Sequence, residues 1–222
     1  MGTLYVVGTP IGNLEDITLR AIRILKEVDF IICEDTRWTS KLLNHYSIKK
    51  PLVSYHQHSK IRKIDEIVDK LKKGNAALVS DAGTPGIADP GNKLVAEALT
   101  KGIGVTVVPG PSALTSLLSV AGWSTDRFEF LGFIPHKKGR DKLFHKIKDV
   151  DNPVIFYESP HRILKTLQSL ADILPDDRQL VLGRELTKIF EQLKRGNAKE
   201  LLKYFTEKPD KVKGEFVVFV NK

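Results

Sequence analysis

The sequence predicts an α/β protein of two α/β domains, the first with a mostly parallel sheet and the second with a mixed sheet. Three observations carry this. In the first half, short apolar runs alternate with stretches whose apolar residues recur every three or four positions. At residues 123–127 the pattern breaks into the polar, turn-like WSTDR. Beyond it, several strand-like runs follow one another across short connections, which suits a mixed sheet. The domains are therefore drawn as 1–123 and 124–222.

The elements follow in order. Strands are expected at 3-TLYVV-7, 29-DFIIC-33, 51-PLVSY-55, 76-AALVS-80 and 104-GVTVV-108. Between them, Ile17, Leu19, Ile22 and Leu25 mark one helix face, Ile61, Ile64, Ile67 and Leu71 a second, and Leu94, Val95, Ala98 and Leu99 a third. Strand–helix alternation implies right-handed βαβ units. The second half offers strands at 128-FEFLGF-133, 153-PVIFY-157, 179-QLVLG-183, 189-IFEQL-193 and 215-EFVVFV-220, with helices near 161–173 and 197–205. Internal repeats and low-complexity tracts are not seen.

Composition narrows the function. A formal net charge of +8 and a pI of about 9.4 suit a nucleic-acid partner or, as the plainer alternative, a lysine-rich surface. Cys33 is the single cysteine, which excludes a disulfide framework and a thiolate zinc site and fits a reducing, cytoplasmic setting. Set within an apolar run, it reads as a core residue. No apolar run is long enough for a transmembrane helix, and no basic n-region marks a secretory leader. Met1-Gly2 invites a myristoylation check, which fails because Val6 stands where Ser or Thr is needed.

In parallel α/β sheets, ligands bind beyond the carboxyl ends of the strands. Three loops of one character fall there: 8-GTPIGN-13, 80-SDAGTPGIADPG-91 and 109-PGPSA-113. Glycine lets backbone approach a ligand and proline stiffens the approach. Neither a G-x-G-x-x-G nor a G-x-x-x-x-G-K-[ST] pattern is present, which argues against a cofactor with a chain of phosphates. Tight structural turns are the alternative reading of any one loop. The H-x-H pair His56 and His58 lacks a third ligand in sequence reach and reads as a substrate edge or solvated loop, so no metal is assigned.

The loops, together with 34-EDTR-37, 108-VPGPSA-113 and 157-YESPHRI-163 in this order and spacing, resemble the ribosomal RNA small-subunit methyltransferase I family. Its members are 16S ribosomal RNA cytidine 2′-O-methyltransferases of the tetrapyrrole methylase superfamily. The resemblance runs from Leu4 to Val220. Many members carry a further C-terminal segment beyond the position of Lys222, a segment suited to docking RNA. The resemblance implies S-adenosyl-L-methionine as methyl donor, held in a cleft between the domains. It implies cofactor contacts at Pro10, at Ala82, Gly83, Thr84 and Ile87, and at Ser112 and Ala113. Tyr157, Glu158 and 184-REL-186, Leu186 included, match the wall that closes over the adenine. A homodimer is implied as well.

A ribose 2′-OH needs a proton acceptor, or a cation that lowers its pKa. Glu34, Asp35, Arg37 and Asp81 lie at strand ends, with Asp81 and Asp35 level as the leading base. Asp35 also reads as a helix N-cap. Arg37 and Arg162 suit the neighbouring phosphate. For the RNA surface, 136-HKKGRDKLFHKIK-148 holds six Lys or Arg and one Asp, among them Lys137, Lys138, Arg140 and Lys142, with Phe144 and His145 interleaved. The alternative is the polar face of a helix with Leu143 and Ile147 inward. A second cluster is Lys49, Lys50, Lys60, Arg62 and Lys63. Without an RRM or KH signature, the target expected is folded RNA within the small ribosomal subunit. Two rivals stand beside this reading: a methylase acting on a tetrapyrrole, and a non-catalytic RNA-binding or ribosome-assembly protein.

Overall fold

The computed structural model describes residues 1–56, 59 and 61–222. His58 and Lys60, named above, lie outside them. The chain divides into two compact units, Met1–Ser112 and Ala113–Lys222.

The first unit alternates strand and helix: β1 (Thr3–Val7), α1 (Leu19–Glu27), β2 (Phe30–Cys33), α2 (Thr36–His45), β3 (Leu52–Ser54), α3 (Ile61–Leu71), β4 (Ala76–Leu78), α4 (Gly91–Thr100) and β5 (Gly104–Val108). All its strand pairs are parallel, in the order β3-β2-β4-β1-β5. The pleat sends alternate residues to opposite faces. Phe30, Ile32, Ala76 and Leu78 join Ile67, Leu71 and Leu94 of α3 and α4 in one core. Ile31, Cys33, Ala77 and Val79 join Ala21, Leu25 and Leu43 of α1 and α2 in the other. Both faces are thus covered, and the strands read as continuous apolar runs for that reason.

The order matters for the site. Strands β2, β4, β1 and β5 are immediate neighbours, so the loops after them emerge side by side at one sheet edge. Sequence could list these loops; only the strand order makes them adjacent.

The second unit contains α5 (Ala113–Val120), β6 (Glu129–Phe133), α6 (Arg140–Asp149), β7 (Val154–Glu158), α7 (Ile163–Ile173), β8 (Gln179–Arg184), β9 (Gln192–Asn197), α8 (Ala198–Glu207) and β10 (Phe216–Val220). Its sheet runs β6-β7-β10-β8-β9, with β6–β7 parallel and the rest antiparallel, which is the mixed sheet expected. β10, buried at all five positions, is the central strand. Helices α6, α7 and α8 cover one face through Phe144, Ile147, Leu167, Leu170, Leu201 and Phe205.

Helix α5 belongs to this unit, so the division falls before it rather than near Ser124. Leu117 packs so close to Gly183 of β8 that a Cβ there would lie 3.0 Å from it. Arg195 of β9 donates to the carbonyls of Ala121 at 2.7 Å and Val120 at 2.6 Å, pinning the helix end. One expected strand also moves. Of residues 189–193 only Gln192 and Leu193 belong to it; Ile189 and Phe190 are 95% and 66% exposed in the β8–β9 connection, and the strand is Gln192–Asn197. Glu185 and Thr187 take positive φ there, and Lys188 is held by Glu185 and Glu215, so the chain turns at the apolar pair. The true strand, QLKRGN, is an edge strand with few apolar residues and left little pattern to read.

Candidate active site

At the shared edge of the first sheet the loops are joined by their own backbones. Thr9 and Gly83 exchange two hydrogen bonds, Thr9 N–H to Gly83 O at 2.9 Å and Gly83 N–H to Thr9 O at 3.1 Å. Gly83 has φ +82°, which a glycine adopts at no steric cost. Below this bridge, the Ser80 hydroxyl donates to Ala82 O and Gly83 O, and the Thr9 hydroxyl reaches Ser80 O and Gly83 O. The Thr84 hydroxyl donates to Pro111 O at 3.2 Å, joining the β4 loop to the β5 loop. The β1 and β5 loops cross at a pair of glycines: a Cβ on Gly8 would lie 2.7 Å from the Gly110 Cα, and one on Gly110 would lie 2.7 Å from Gly8 O. The Asp35 N–H donates to Asp81 Oδ1 at 3.1 Å, bringing in the β2 loop.

This is one preorganised edge, not three separate turns. Ala82 and Ile87 are exposed on it, Thr84 and Ser112 are half-buried, and Pro10 and Gly83 are buried beneath. Asp89, within the 80–91 loop but assigned no role from the sequence, holds the far end of the β4 loop. Its Oδ1 accepts from Gly86 N–H at 2.5 Å and Gly91 N–H at 3.1 Å, where α4 begins. The readable signal was an Asp just ahead of Pro90-Gly91 at a helix start. Asp89→Ala is expected to cost about 1–3 kcal/mol, seen as a lower urea midpoint with an unchanged slope.

Beside the loops lies an open hollow of about 420 Å³ lined by Glu34, Asp35, Thr36, Arg37, Ser54, His56 and Asp81. The three candidate acids and Arg37 therefore meet, though they come from two segments. They are not equivalent. Asp35 caps α2, accepting from Arg37 N–H at 2.8 Å, and also holds the Arg37 guanidinium through Nε at 3.0 Å and Nη2 at 2.6 Å. Those bonds from Arg37 lower its pKa to about 2. Asp81 shifts the other way: surrounding protein strips water from it and raises its pKa, with a contribution from the Asp35 charge. Glu34 is raised by burial and then by the charge of Asp81. His56, the described member of the H-x-H pair, lies 2.7 Å through Nε2 from the Ser54 hydroxyl.

In the second unit several expected site residues are engaged elsewhere. Glu158 is 1% exposed. Its Oε1 accepts from Ser159 N–H at 2.8 Å and pairs with Arg162 at 2.7 Å; its Oε2 accepts from the Thr166 hydroxyl at 2.6 Å. Arg140, 4% exposed, donates to that same hydroxyl at 2.7 Å and stands 3.6 Å from Oε2. Arg162 also donates to Ile134 O at 2.6 Å. Three expectations change accordingly. The Glu158 carboxylate is buried and engaged by these partners, so it does not face a ligand. Arg140 and Arg162 face this buried acid and not an RNA phosphate. Phe144 is likewise buried and does not interleave with nucleotides. Lys137, Lys138, Lys142 and His145 are exposed as expected. Tyr157 stacks edge-on with Phe130 at 5.1 Å and lies 5.4 Å from Phe133, and Leu186 is buried. No helix among the described residues is long and apolar enough to cross a membrane.

Similarity to known proteins places this architecture in a class first. A model of the Tetrapyrrole (Corrin/Porphyrin) Methylases matches residues 3–202. In fold, the chain is similar to diphthine synthase (TM-score 0.76, 16% identity, covering 100% of this chain and 90% of that one). It is also similar to a cobalt precorrin-4 methyltransferase (TM-score 0.71, 15% identity, 98% and 94%). Nearer in sequence are proteins named Ribosomal RNA small subunit methyltransferase I. That of Thermotoga maritima is 47% identical over 100% of this chain and 99% of its own. Those of Haemophilus influenzae and Halalkalibacterium halodurans are 46% and 48% identical over 99% of this chain and 78% and 76% of theirs. The chain belongs to the tetrapyrrole methylase family and, within it, to the ribosomal RNA small subunit methyltransferase I family.

Proposed function

We propose that this chain uses S-adenosyl-L-methionine to methylate the ribose 2′-OH of a cytidine in 16S ribosomal RNA of the small subunit. The observation that carries the reading is the 47% identity to a ribosomal RNA small subunit methyltransferase I along nearly the whole of both chains. The same reading has the protein working in the cytoplasm as a homodimer.

The residues of the loop edge fit the donor. Small and apolar side chains at Ala82 and Ile87, with the glycine backbone around them, suit an adenosine and an amino-acid moiety better than a chain of phosphates. Glu34 adds negative charge suited to a sulfonium and an ammonium. Pro10, Gly83, Thr84 and Ser112 complete the proposed set in this unit; Ala113, Tyr157 and Leu186 are the second unit's proposed contributions. When bound, the donor supplies an electrophilic methyl group on a good leaving group.

The chain then supplies position and a proton acceptor. Asp81 is the base we assign. Asp35 is held by Arg37 and acidified to about 2, a poor acceptor at neutral pH. Asp81 is raised instead, toward the range where a carboxylate accepts a proton well. Arg37, with its orientation set by Asp35, takes the adjoining phosphate. Glu34, its own pKa raised by burial and by the Asp81 charge, keeps the hollow acidic.

The test is single-turnover transfer of labelled methyl to small ribosomal subunits and to protein-free 16S RNA, with the product mapped by alkali-resistant linkages. Label at a ribose is expected. Label on a base, on a tetrapyrrole or nowhere would overturn the reading. The exposed lysines of the α6 region carry their own expectation. Changing Lys137, Lys138 and Lys142 to alanine should weaken RNA binding and flatten its log–log salt dependence by about one unit for each phosphate no longer neutralised. A filter-binding series across salt concentrations measures that slope.

A further inference from the structure

Trp38 lies on α2 one residue beyond Arg37, which lines the acidic hollow. The helix start is set by the Asp35 cap, and Thr39 and Leu43 are its buried residues. Trp38 is turned the other way: it is 56% exposed. The Lys41 ammonium sits 4.3 Å from the centre of its ring, and the Arg37 side chain is 86% exposed. An indole left in water adds little to the core, so packing does not account for it. The ring with Lys41 beside it, and the exposed Arg37 held by Asp35 one residue earlier, offer a π-face together with positive charge for the phosphates on either side of a base.

We propose that Trp38 is a stacking platform for an unpaired nucleobase of the RNA substrate, with Arg37 and Lys41 meeting the flanking phosphates. This rests on the methyltransferase reading above and adds a substrate-positioning residue to it. Charge decides the occupant. A lysine at an exposed aromatic face, with an exposed arginine next to it in the chain, complements a polyanion whose bases can stack, and single-stranded RNA is recognised by such stacking. The basic α6 segment offers no such indole, and its Phe144 is buried.

The chain has two tryptophans, Trp38 and Trp123, so Trp123→Phe leaves Trp38 as the sole indole reporter. In that background, a twelve-nucleotide oligocytidylate is expected to quench the fluorescence saturably. Heparin, a polyanion without bases, should not. In otherwise native protein, Trp38→Ala should raise KM for small subunits or their RNA on the order of 10-fold or more, as loss of one stacked base does. Trp38→Phe should recover part of this, and affinity for S-adenosyl-L-methionine should not change. Equal quenching by heparin, no quenching by the oligonucleotide, or an unchanged KM in Trp38→Ala would overturn the platform. The two readings fail separately. If the native protein methylates no ribosomal RNA, the methyltransferase reading falls, while the oligocytidylate titration still decides whether Trp38 stacks on bases.

Discussion

Asp81→Asn is expected to slow single-turnover methyl transfer by about 10²–10⁴-fold, with cofactor affinity preserved. The substitution is nearly isosteric and keeps an Oδ1 acceptor for the Asp35 N–H, so the tie between the two loops survives. What is lost is the ability to take a proton. The pH profile gives the sharper check. A base acts in its ionised form, so the rate falls as pH drops through its pKa. Burial raises that pKa, so the acid limb of native enzyme should begin above the range of an ordinary aspartate, about 3.9. In Asp81→Asn that limb should vanish from the residual rate. An unchanged rate would remove Asp81 as the base. A slowed enzyme that keeps the same limb would move the role to Glu34, whose pKa is also raised.

The second large effect concerns stability. Glu158→Ala should destabilise the protein by roughly 3–5 kcal/mol. The carboxylate is buried, and Arg162 and Arg140 lie 2.7 Å and 3.6 Å from it. Removing it leaves both guanidinium groups without their counter-charge and takes the acceptor from Thr166. A buried pair is not in itself a strong source of stability, because desolvation offsets much of the attraction; the large cost comes from breaking it one-sidedly. Glu158→Gln should cost less, since it still accepts hydrogen bonds. Replacing Glu158, Arg140 and Arg162 together with apolar residues should recover part of the loss. Urea unfolding of the three variants measures the series, and equal stability of Glu158→Ala and the native chain would show that the cluster is not a structural unit.

Those two residues also mark how far the sequence could be read. The strands of the first sheet were legible because strands buried on both faces leave unbroken apolar runs. The Gly/Pro loops were legible because few other residues permit such turns. The partnership of Asp81 with Asp35 was not, since it depends on β4 lying between β1 and β2. Nor was the difference between the two acids, which comes from what each contacts: Arg37 for one, burial for the other. Arg140, Glu158 and Arg162 misled in the same way. A charged residue in a basic stretch or at a strand end reads as exposed, and only packing reveals that two arginines share one buried carboxylate. Ile189 and Phe190 misled in the opposite sense, as apolar residues placed in a turn.

The crossing of Gly8 and Gly110 has a consequence for how this protein can vary. Each glycine occupies the space in which the other's side chain would stand. Neither position can accept a Cβ unless the strand end opposite moves, and a side chain at both would require a larger displacement at the same point. The two sites, far apart in the chain, therefore behave as one non-additive unit. A change from glycine at either position requires both loops to be rebuilt in concert.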